Sequence, residues 1–302
     1  MIDIINRFKT LTYNIGFVKK ELFDIQNTSL TKNDIIWMKH HYKDRYFADP
    51  FLIDENEKFY YILAEEYTFW EIKGKIVLLT VNKKNFSLIE RKLLIEEKWH
   101  LSFPYCKCKG EWIVPEAVAS KMSYAYKLDK KTWKITKKVK IANEGLIDNV
   151  FFKEKNNIWC YASTIEGPCS ELYLFKLENN FLEKQSKTPF ICDLSRARSA
   201  GDFFEYNDKI FRPVQDCSEY YGKQTIVLEI DKIDNNGFSY KDSFKVDSYS
   251  NPPYNESLHT FNVYDDIILV DGSKEFMRFP MKFFYRRCSF IFKIVNYFKG
   301  EK

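Results

Sequence analysis

Glycine is scarce in this sequence, with 10 residues in 302, so the turns must rely on Asn, Asp and Lys instead. Long apolar runs are absent, since no stretch approaches the roughly 20 apolar residues of a membrane span. Residues 1–7 lack the basic leader and the long apolar run of a secretory signal peptide. The lack of a membrane span and of a signal peptide predicts a cytoplasmic protein.

Paired cysteines and charge of one sign are also lacking. The seven cysteines are an odd number and are too sparse for a disulfide scaffold. Cys106 and Cys108 lie two positions apart, but a zinc site needs a second such pair, so we predict reduced thiols, no metal and no cofactor. The 47 basic and 42 acidic residues leave a net charge of +5. This mixed surface lacks the basic stripe of nucleic-acid-binding proteins, so no nucleic-acid partner is expected.

Aromatic residues, by contrast, are abundant and recur in a repeated pattern. The chain has 27 Phe and 20 Tyr, and flat rings favour β-strands because they pack well on a pleated surface. Five short aromatic openings start near positions 48, 102, 148, 201 and 259. Each leads into a polar turn and then a second strand that ends in a polar cluster. Repeats of about 50 residues are close in length to known propeller blades. The five repeats therefore predict an all-β fold, a five-bladed β-propeller.

The repeats also set the expected boundaries. The propeller should cover residues 46–275. Residues 1–45 are expected to form an N-terminal extension with two short helices. One is predicted by the helix-like spacing of Ile2, Ile5, Phe8 and Leu11, and the other lies in residues 29–38.

Residues 276–302 differ from the rest of the chain because they combine many aromatic residues with Lys and Arg. A basic, aromatic, amphipathic segment suits the surface of an anionic membrane. We therefore expect peripheral attachment to the inner face of the membrane. The alternatives are a helix or strand packed back on the propeller, or a strand that closes the fifth blade.

Polar residues at the ends of the inner strands of a propeller meet at the mouth of its central channel. The candidates at these positions are Asp49, Glu65 or Glu66, Glu116, Asp148, Glu166, Asp202, Gln215, Asp216, His259 and Asp271. Several acids around one pocket repel each other, which raises at least one pKa and places a proton donor beside an ionised base. Glycosyl transfer and glycoside hydrolysis both use such a pair. For any single acid, the alternative is a turn residue that faces solvent.

The fourth repeat carries the densest polar cluster. Arg198 and Arg212 stand in apolar surroundings, where a guanidinium needs an anionic partner. That partner could be Asp216 or Glu229, or it could be a substrate phosphate, whose oxygens match the planar guanidinium. Gln215 and Asp216 offer an amide and a carboxylate to sugar hydroxyls. The residues expected to bind substrate are Asp148, Glu166, Arg198, Arg212, Gln215, Tyr221 and His259.

Several motifs together resemble one known family. They are FADPF at 47–51, VPE at 114–116, ARSAG at 197–201, RPVQDCS at 212–218, YG at 221–222, HTFN at 259–262 and VDG at 270–272. The combination resembles the N-terminal domain of glucosamine inositolphosphorylceramide transferases, in a form that occurs alone in bacteria, over roughly residues 42–273. More distantly, the chain is similar to the five-bladed propeller glycoside hydrolases of the arabinanase, xylosidase and fructosidase type.

The resemblance to these hydrolases implies roles for three acids. An aspartate in an Ala-Asp-Pro opening is their general base, which corresponds to Asp49. An acid of the second blade that tunes a pKa corresponds to Glu116, and the general acid in a Glu-Gly-Pro context corresponds to Glu166. Asp216 completes the candidate catalytic set.

Two enzymatic functions and one binding function are consistent with these residues. The favoured one is a glycosyltransferase of surface-polysaccharide assembly, such as capsule or O-antigen. It would take a nucleotide- or lipid-linked sugar donor and a glycan acceptor, with Arg198 and Arg212 on the phosphate. The second is a glycoside hydrolase with Asp49 as base and Glu166 or Glu116 as acid. The third is a propeller that binds carbohydrate without catalysis.

Overall fold

The computed structural model describes residues 9–20, 34–234, 237–247 and 252–277, and these residues form five antiparallel β-sheets arranged as the blades of a propeller. No helix in the described ranges is long and apolar enough to cross a membrane. The predicted all-β, five-bladed fold is therefore confirmed.

The strands follow one another in chain order and fill the first four blades without crossovers. Before the first blade come β1 (Lys9–Lys19) and β2 (Ile36–Trp37). Blade one contains β3 (Arg45–Glu55), β4 (Phe59–Thr68), β5 (Lys73–Asn82) and β6 (Leu88–Ile95), and blade two contains β7 (Ser102–Tyr105), β8 (Trp112–Glu116), β9 (Ser123–Asp129) and β10 (Lys134–Ala142). Blade three contains β11 (Ile147–Glu154), β12 (Asn157–Ser163), β13 (Glu171–Glu178) and β14 (Phe181–Lys184), with β15 (Ile191–Cys192) pairing β13 at its edge. Blade four contains β16 (Phe204–Tyr206), β17 (Lys209–Asp216), β18 (Gln224–Asp234) and β19 (Gly237–Val246).

The fifth blade is built from both ends of the described chain. Its inner strands are β20 (Phe261–Val263) and β21 (Ile267–Met277), and its outer strands are β1 and β2. β1 pairs with β21 along its whole length, from Lys9 opposite Met277 to Lys19 opposite Ile267. Closing the ring in this way joins the first described strand to the last blade, so β1 and β21 hold each other in place.

This closure corrects the prediction for the N-terminal segment. Leu11 belongs to the strand β1 and not to a helix. Further along β1, the large apolar residues Tyr13, Ile15 and Phe17 stand at every second position, as on one face of a strand, and are buried in the fifth blade. In the stretch 29–38, the described part contains the short strand β2. The rest of both predicted helices lies outside the described residues, as does the C-terminal segment after Met277.

A bulge recurs near the start of the innermost strand in blades one to three. In β3, Ala48 faces Glu65 and Phe51 faces Leu63, so one extra residue is inserted opposite β4. The same irregularity occurs between Ser102 and Tyr105, and between Ile147 and Val150. The inserted residues Asp49, Phe103 and Asp148 have φ values of 52°, 41° and 45°, which non-glycine residues rarely adopt. Bulges of this kind redirect side chains next to functional sites.

Packing between the blades stabilises the bulges. Phe103 is fully buried, and its ring meets the ring of Phe51 edge to face at a centroid distance of 5.0 Å. Trp159 and Tyr161 extend the same core through blade three. Burying each such ring contributes roughly 1.5–3 kcal/mol, which is enough to hold a backbone strained by ~1–3 kcal/mol per residue. The core thus fixes the positions of the acids at the channel mouth.

Candidate functional site

A cavity of about 200 Å³ opens where the innermost strands of the blades begin. We call this end of the propeller the mouth face; it also carries the loops that join the second and third strands of each blade. The cavity is lined by Tyr13, Tyr46, Ala48, Asp49, Glu65, His100, Ser102, Glu116, Asp148, Arg198, Tyr221 and His259. All five blades or the loops between them contribute, so the site exists only when the ring is closed.

Asp49 lies at the centre of this arrangement and is almost fully buried. Its backbone N–H donates to Oδ2 of Asp271 at 2.9 Å, and its own Oδ2 accepts from the N–H of Phe103 at 3.0 Å. Its Oδ1 lies 3.5 Å from Nε2 of His259. Burial raises the pKa of Asp49 to about 7, against the lowering effect of His259. Asp49 can therefore take up or release a proton near neutral pH.

His259 and Asp271 form a hydrogen-bonded pair beneath Asp49. Nδ1 of His259 lies 2.6 Å from Oδ1 of Asp271, and the N–H of Thr260 donates to the same oxygen. Burial alone would lower the pKa of His259, but Asp271 and Asp49 outweigh it and raise the value to about 9. For Asp271, burial is outweighed by His259, so its pKa falls below the usual range. At neutral pH the pair is thus an imidazolium held by a carboxylate.

Two glutamates present side-chain oxygens to the cavity without a hydrogen-bond partner among the described residues. These atoms are Oε1 of Glu65 and Oε2 of Glu116. Burial raises the pKa of both carboxyl groups well above the usual range, and the neighbouring acids raise it further. For Glu116 the main neighbour is Asp148, to which a protonated Glu116 can donate a hydrogen bond. The cavity therefore places beside Asp49 two carboxyl groups that keep their protons to a higher pH than usual.

Arg198 is the guanidinium that the described residues bring to the cavity. Its Nε donates to Oδ2 of Asp148 at 2.6 Å, and its Nη1 donates to the carbonyl oxygen of Pro168 at 3.2 Å. Its Nη2 lies 3.7 Å from Glu116. Gln215 lies behind this pair and donates to the same Asp148 oxygen at 2.8 Å. The acidic partner of Arg198 is thus Asp148 and not Asp216 or Glu229, the two acids expected from the sequence. Gln215 acts on the site through Asp148.

Three other predicted site residues lie away from the cavity. Arg212 is fully buried and donates to the carbonyl oxygens of Arg196 and Ala197, so it anchors the segment that carries Arg198. Burial lowers the pKa of Arg212 to about 9. Asp216 accepts from Ser218 and Gln224, as a turn-stabilising carboxylate does. Glu166 is exposed in the loop after β12.

Several lining residues were not expected from the sequence. Tyr13 comes from β1, which had been assigned to an extension outside the propeller, and its ring packs 4.9 Å from His259. Tyr46, His100 and Ser102 were passed over although they flank the repeated openings. Between the two acids that the sequence left open, Glu65 faces the cavity. Its neighbour Glu66 is bound outside it, by Arg91 and Arg45.

Asp49, His259 and Asp271 also form a group of the kind that can bind a metal. Their ligand atoms lie within 4.8 Å of one another. However, Asp271 already accepts hydrogen bonds from the backbone N–H groups of Asp49 and Thr260 and from the ring of His259. A metal ion would have to displace these donors, so the group fits a hydrogen-bonded triad better than an open metal site.

Two solved structures with a similar fold are enzymes of the GH43 family. One is a family GH43 β-xylosidase/α-arabinofuranosidase from a compost metagenome, in a calcium-free form with xylotriose. The match covers 79% of this chain and 93% of the enzyme chain, at 12% identity and a TM-score of 0.55. For the GH43_1 enzyme of Xanthomonas citri, the match covers 83% of this chain and 92% of the enzyme chain, at 10% identity and a TM-score of 0.51. At these identities the likeness shows the fold alone.

Sequence relatives are plant proteins named glucosamine inositolphosphorylceramide transferase 1. The protein of Oryza sativa subsp. indica is 26% identical over 202 residues, which are 64% of this chain and 27% of the relative. That of Arabidopsis thaliana is 24% identical over 200 residues, 62% of this chain and 26% of the relative. The chain thus spans about a quarter of the length of these relatives. A family model described as glucosamine inositolphosphorylceramide transferase 1, N-terminal, matches residues 19–251, and the chain belongs to this family.

Proposed function

We propose that this chain is a carbohydrate-active enzyme that holds one sugar unit in the cavity and breaks or forms its glycosidic bond. The observation that carries the proposal is the placement of Asp49, with a pKa of about 7, in one cavity with Glu65 and Glu116, whose pKa burial raises well above the usual range. A volume of about 200 Å³ corresponds to roughly seven water molecules at ~30 Å³ each, which is of the order of one sugar ring.

In the proposed reaction, ionised Asp49 takes the proton from an attacking hydroxyl group. The new bond forms between that oxygen and the anomeric carbon, while the bond to the leaving group breaks. Where the leaving oxygen needs a proton, Glu116 supplies it and is left ionised, and the proton taken up by Asp49 then passes to Glu116 through the cavity. Where the leaving group needs none, Asp49 releases its proton to solvent. His259 and Asp271 keep Asp49 oriented, because Asp271 binds the Asp49 backbone while His259 stands beside its carboxylate. Two carboxyl groups with separated pKa values are what such chemistry requires.

The finer proposal is a glycosyltransferase that acts in surface-polysaccharide assembly with a phosphate-linked sugar donor and a glycan acceptor. The name of the sequence relatives supports transfer. Phosphate binding by Arg198 is less supported, because its donors already meet Asp148 and Pro168. A cytoplasmic site, next to the inner membrane face, remains part of this proposal.

Hydrolysis is the second candidate, and the raised pKa of the glutamates beside Asp49 favours it. With Glu166 exposed outside the cavity, Glu116 or Glu65 would serve as the acid. The direct comparison is a thermal-shift screen of nucleotide sugars against free oligosaccharides. Selective stabilisation by a nucleotide sugar supports transfer, and stabilisation by oligosaccharides alone supports hydrolysis or binding without catalysis.

The catalytic part of the proposal is tested with Asp49→Asn on the substrate that the screen identifies. Turnover should fall by about 10³-fold or more, because the amide cannot accept the proton. The ligand-induced thermal shift should persist. Glu166→Gln is the matched control, since this exposed carboxyl group lies outside the cavity and its loss should leave turnover unchanged. Full activity in Asp49→Asn would reject the scheme.

A further inference from the structure

Two cysteines from neighbouring blades meet beside the cavity. Cys169 lies in the loop between β12 and β13 of blade three, and Cys217 directly follows β17 of blade four. The thiol of Cys217 donates a hydrogen bond to the sulfur of Cys169. The proposed sugar chemistry uses neither residue, so the pair is free for another role.

The backbone of segment 193–198 keeps the two cysteines close to each other. The N–H of Asp193 donates to the carbonyl oxygen of Ser170, the residue after the first cysteine, at 2.8 Å. The N–H of Cys217 donates to the carbonyl oxygen of Leu194 at 2.9 Å. Both cysteine backbones are therefore tied to one segment, and their proximity does not depend on a side-chain rotamer alone.

Arg198 gives the pair a positive neighbour. Its Nη1 donates to Sγ of Cys169 at 3.8 Å and to the carbonyl oxygen of Pro168 at 3.2 Å. The hydrogen bond from Cys217, together with Arg198, lowers the pKa of Cys169 below that of a free thiol, although partial burial opposes them. Cys169 is only partly buried. A partly exposed thiolate beside a cation is the environment of a reactive cysteine.

Cys217 has the properties of the second partner in a disulfide. It is buried, and its hydrogen bond to Cys169 together with that burial raises its pKa, so it keeps its proton. A shielded, protonated thiol reacts slowly with an oxidant from solvent, but it lies in place to attack Cys169 once that sulfur is oxidised. Cysteines that respond to oxidants commonly have such a partner next to them.

The other described cysteines lack this environment. Burial raises the pKa of Cys106 to about 12, and it raises the pKa of Cys160 as well. Buried thiols of this kind are inert. Cys108 and Cys192 are exposed, so they would react first if accessibility alone decided. The order of reaction therefore separates an activated thiol from one that is merely accessible.

We infer that Cys169 and Cys217 form a thiol–disulfide site that hydroperoxides oxidise. The Cys169 thiolate attacks one oxygen of the hydroperoxide, the O–O bond breaks, and the hydroxide or alkoxide that leaves takes a proton from solvent. Cys169 is then a sulfenic acid. The sulfur of Cys217 attacks that of Cys169, the S–S bond forms, and hydroxide leaves with the Cys217 proton as water. Two electrons pass from the two thiols to the hydroperoxide.

The site is linked to the cavity through Arg198. Reduced Cys169 offers its sulfur to Nη1 of this guanidinium, while Nε of the same group donates to Asp148. A disulfide sulfur carries no negative charge, so oxidation removes one anionic neighbour of Arg198. Oxidation thus changes the electrostatics next to the cavity. The inference goes beyond the proposed chemistry and does not depend on it.

The first test treats the whole reduced chain with a small excess of hydrogen peroxide at neutral pH and maps disulfides by peptide mass spectrometry. A bridge between Cys169 and Cys217 should form within one chain. Cys217→Ser should stop at the sulfenic acid of Cys169, which dimedone traps, and Cys169→Ser should leave Cys217 reduced. Cys192→Ser is the matched control, because it removes an exposed thiol and should leave the bridge intact.

The second test needs no variant. Limiting iodoacetamide is added to the native wild type, and each cysteine is followed through its own peptide. Cys169 should react about tenfold faster or more than Cys108 and Cys192, although these two are more exposed. A ranking that follows exposure, or peroxide treatment that forms no bridge between Cys169 and Cys217, would overturn the inference. Asp49→Asn should form the bridge as the wild type does, which separates this result from a failure of the proposed chemistry.

Discussion

Asp49→Asn should stabilise the protein at neutral and alkaline pH while it abolishes turnover. In the folded state the pKa of Asp49 is raised from 3.8 to about 7, so the unfolded chain loses this proton first as pH rises. Folding stability therefore falls between about pH 4 and pH 7 and stays reduced above that. At ~1.4 kcal/mol per pH unit the full effect is about 4 kcal/mol. Asparagine has the same shape, can still accept from the Phe103 N–H, and carries no charge to bury.

The assay is urea unfolding of wild type and Asp49→Asn at pH 5, 6, 7 and 8. The free energy of unfolding of the variant, relative to the wild type, should rise by about 2–3 kcal/mol from pH 5 to pH 8. This is less than the full effect, because the first pH unit of it lies below pH 5. Asp216→Asn is the matched control. Burial would raise the pKa of Asp216, but hydrogen bonds from Ser218 and Gln224 hold it below 3.8. That variant should lose stability by the same amount at every pH tested. A pH-independent difference for Asp49→Asn would refute the reasoning.

Three further predictions concern the surroundings of Asp49. The logarithm of kcat/KM should fall as pH drops below about 7, where Asp49 becomes protonated. His259→Gln should move this acid limb of the pH–rate profile to higher pH, because His259 lowers the pKa of Asp49. An acid limb that stays in place would contradict the interaction between His259 and Asp49. Gly222→Ala should lower the free energy of unfolding by about 1–3 kcal/mol in urea, because the φ of Gly222 is +62° and the new Cβ would lie 2.6 Å from Cβ of His259. An unchanged midpoint would show that this contact relaxes freely. Arg198→Met should lower the free energy of unfolding by about 3–5 kcal/mol in the same assay, because it leaves Asp148 buried without its cation. A decrease below about 1 kcal/mol would mean that the hydrogen bond from Gln215 alone satisfies Asp148.

The fold was predictable because the evidence for it is repeated along the chain. The openings near positions 48, 102 and 148 coincide with the starts of β3, β7 and β11. The N-terminal strand escaped prediction for a physical reason. Residues 2–11 fit a helical spacing, while the alternation of Tyr13, Ile15 and Phe17 fits a strand, and a short segment allows either. The choice is made by pairing with β21, which lies at the opposite end of the described chain.

The candidate site was predictable in its centre and not at its edge. Asp49, Glu116, Asp148, Arg198, Tyr221 and His259 all line the cavity, as their repeat positions indicated. The choice between Glu65 and Glu66 depends on which side of β4 faces the channel, and one residue of register reverses it. Likewise, Asp216 ends a strand as the other acids do, but local donors bind its carboxylate. The bond from Ser218, two residues along the chain, is of a kind that the sequence can indicate, whereas Gln224 becomes a neighbour only through the pairing of β17 with β18.

The closure of the ring has a consequence for the order in which the protein matures. Tyr13 is made before the first four blades, while His259 and Asp271 are made after them, and all three meet at the cavity floor. The early strand β1 has no inner partner until β21 has left the ribosome. Blades one to four can form during synthesis, but the cavity cannot. Asp49 thus meets His259 and Asp271 only when the fifth blade closes, so the site is completed by the closure of the ring.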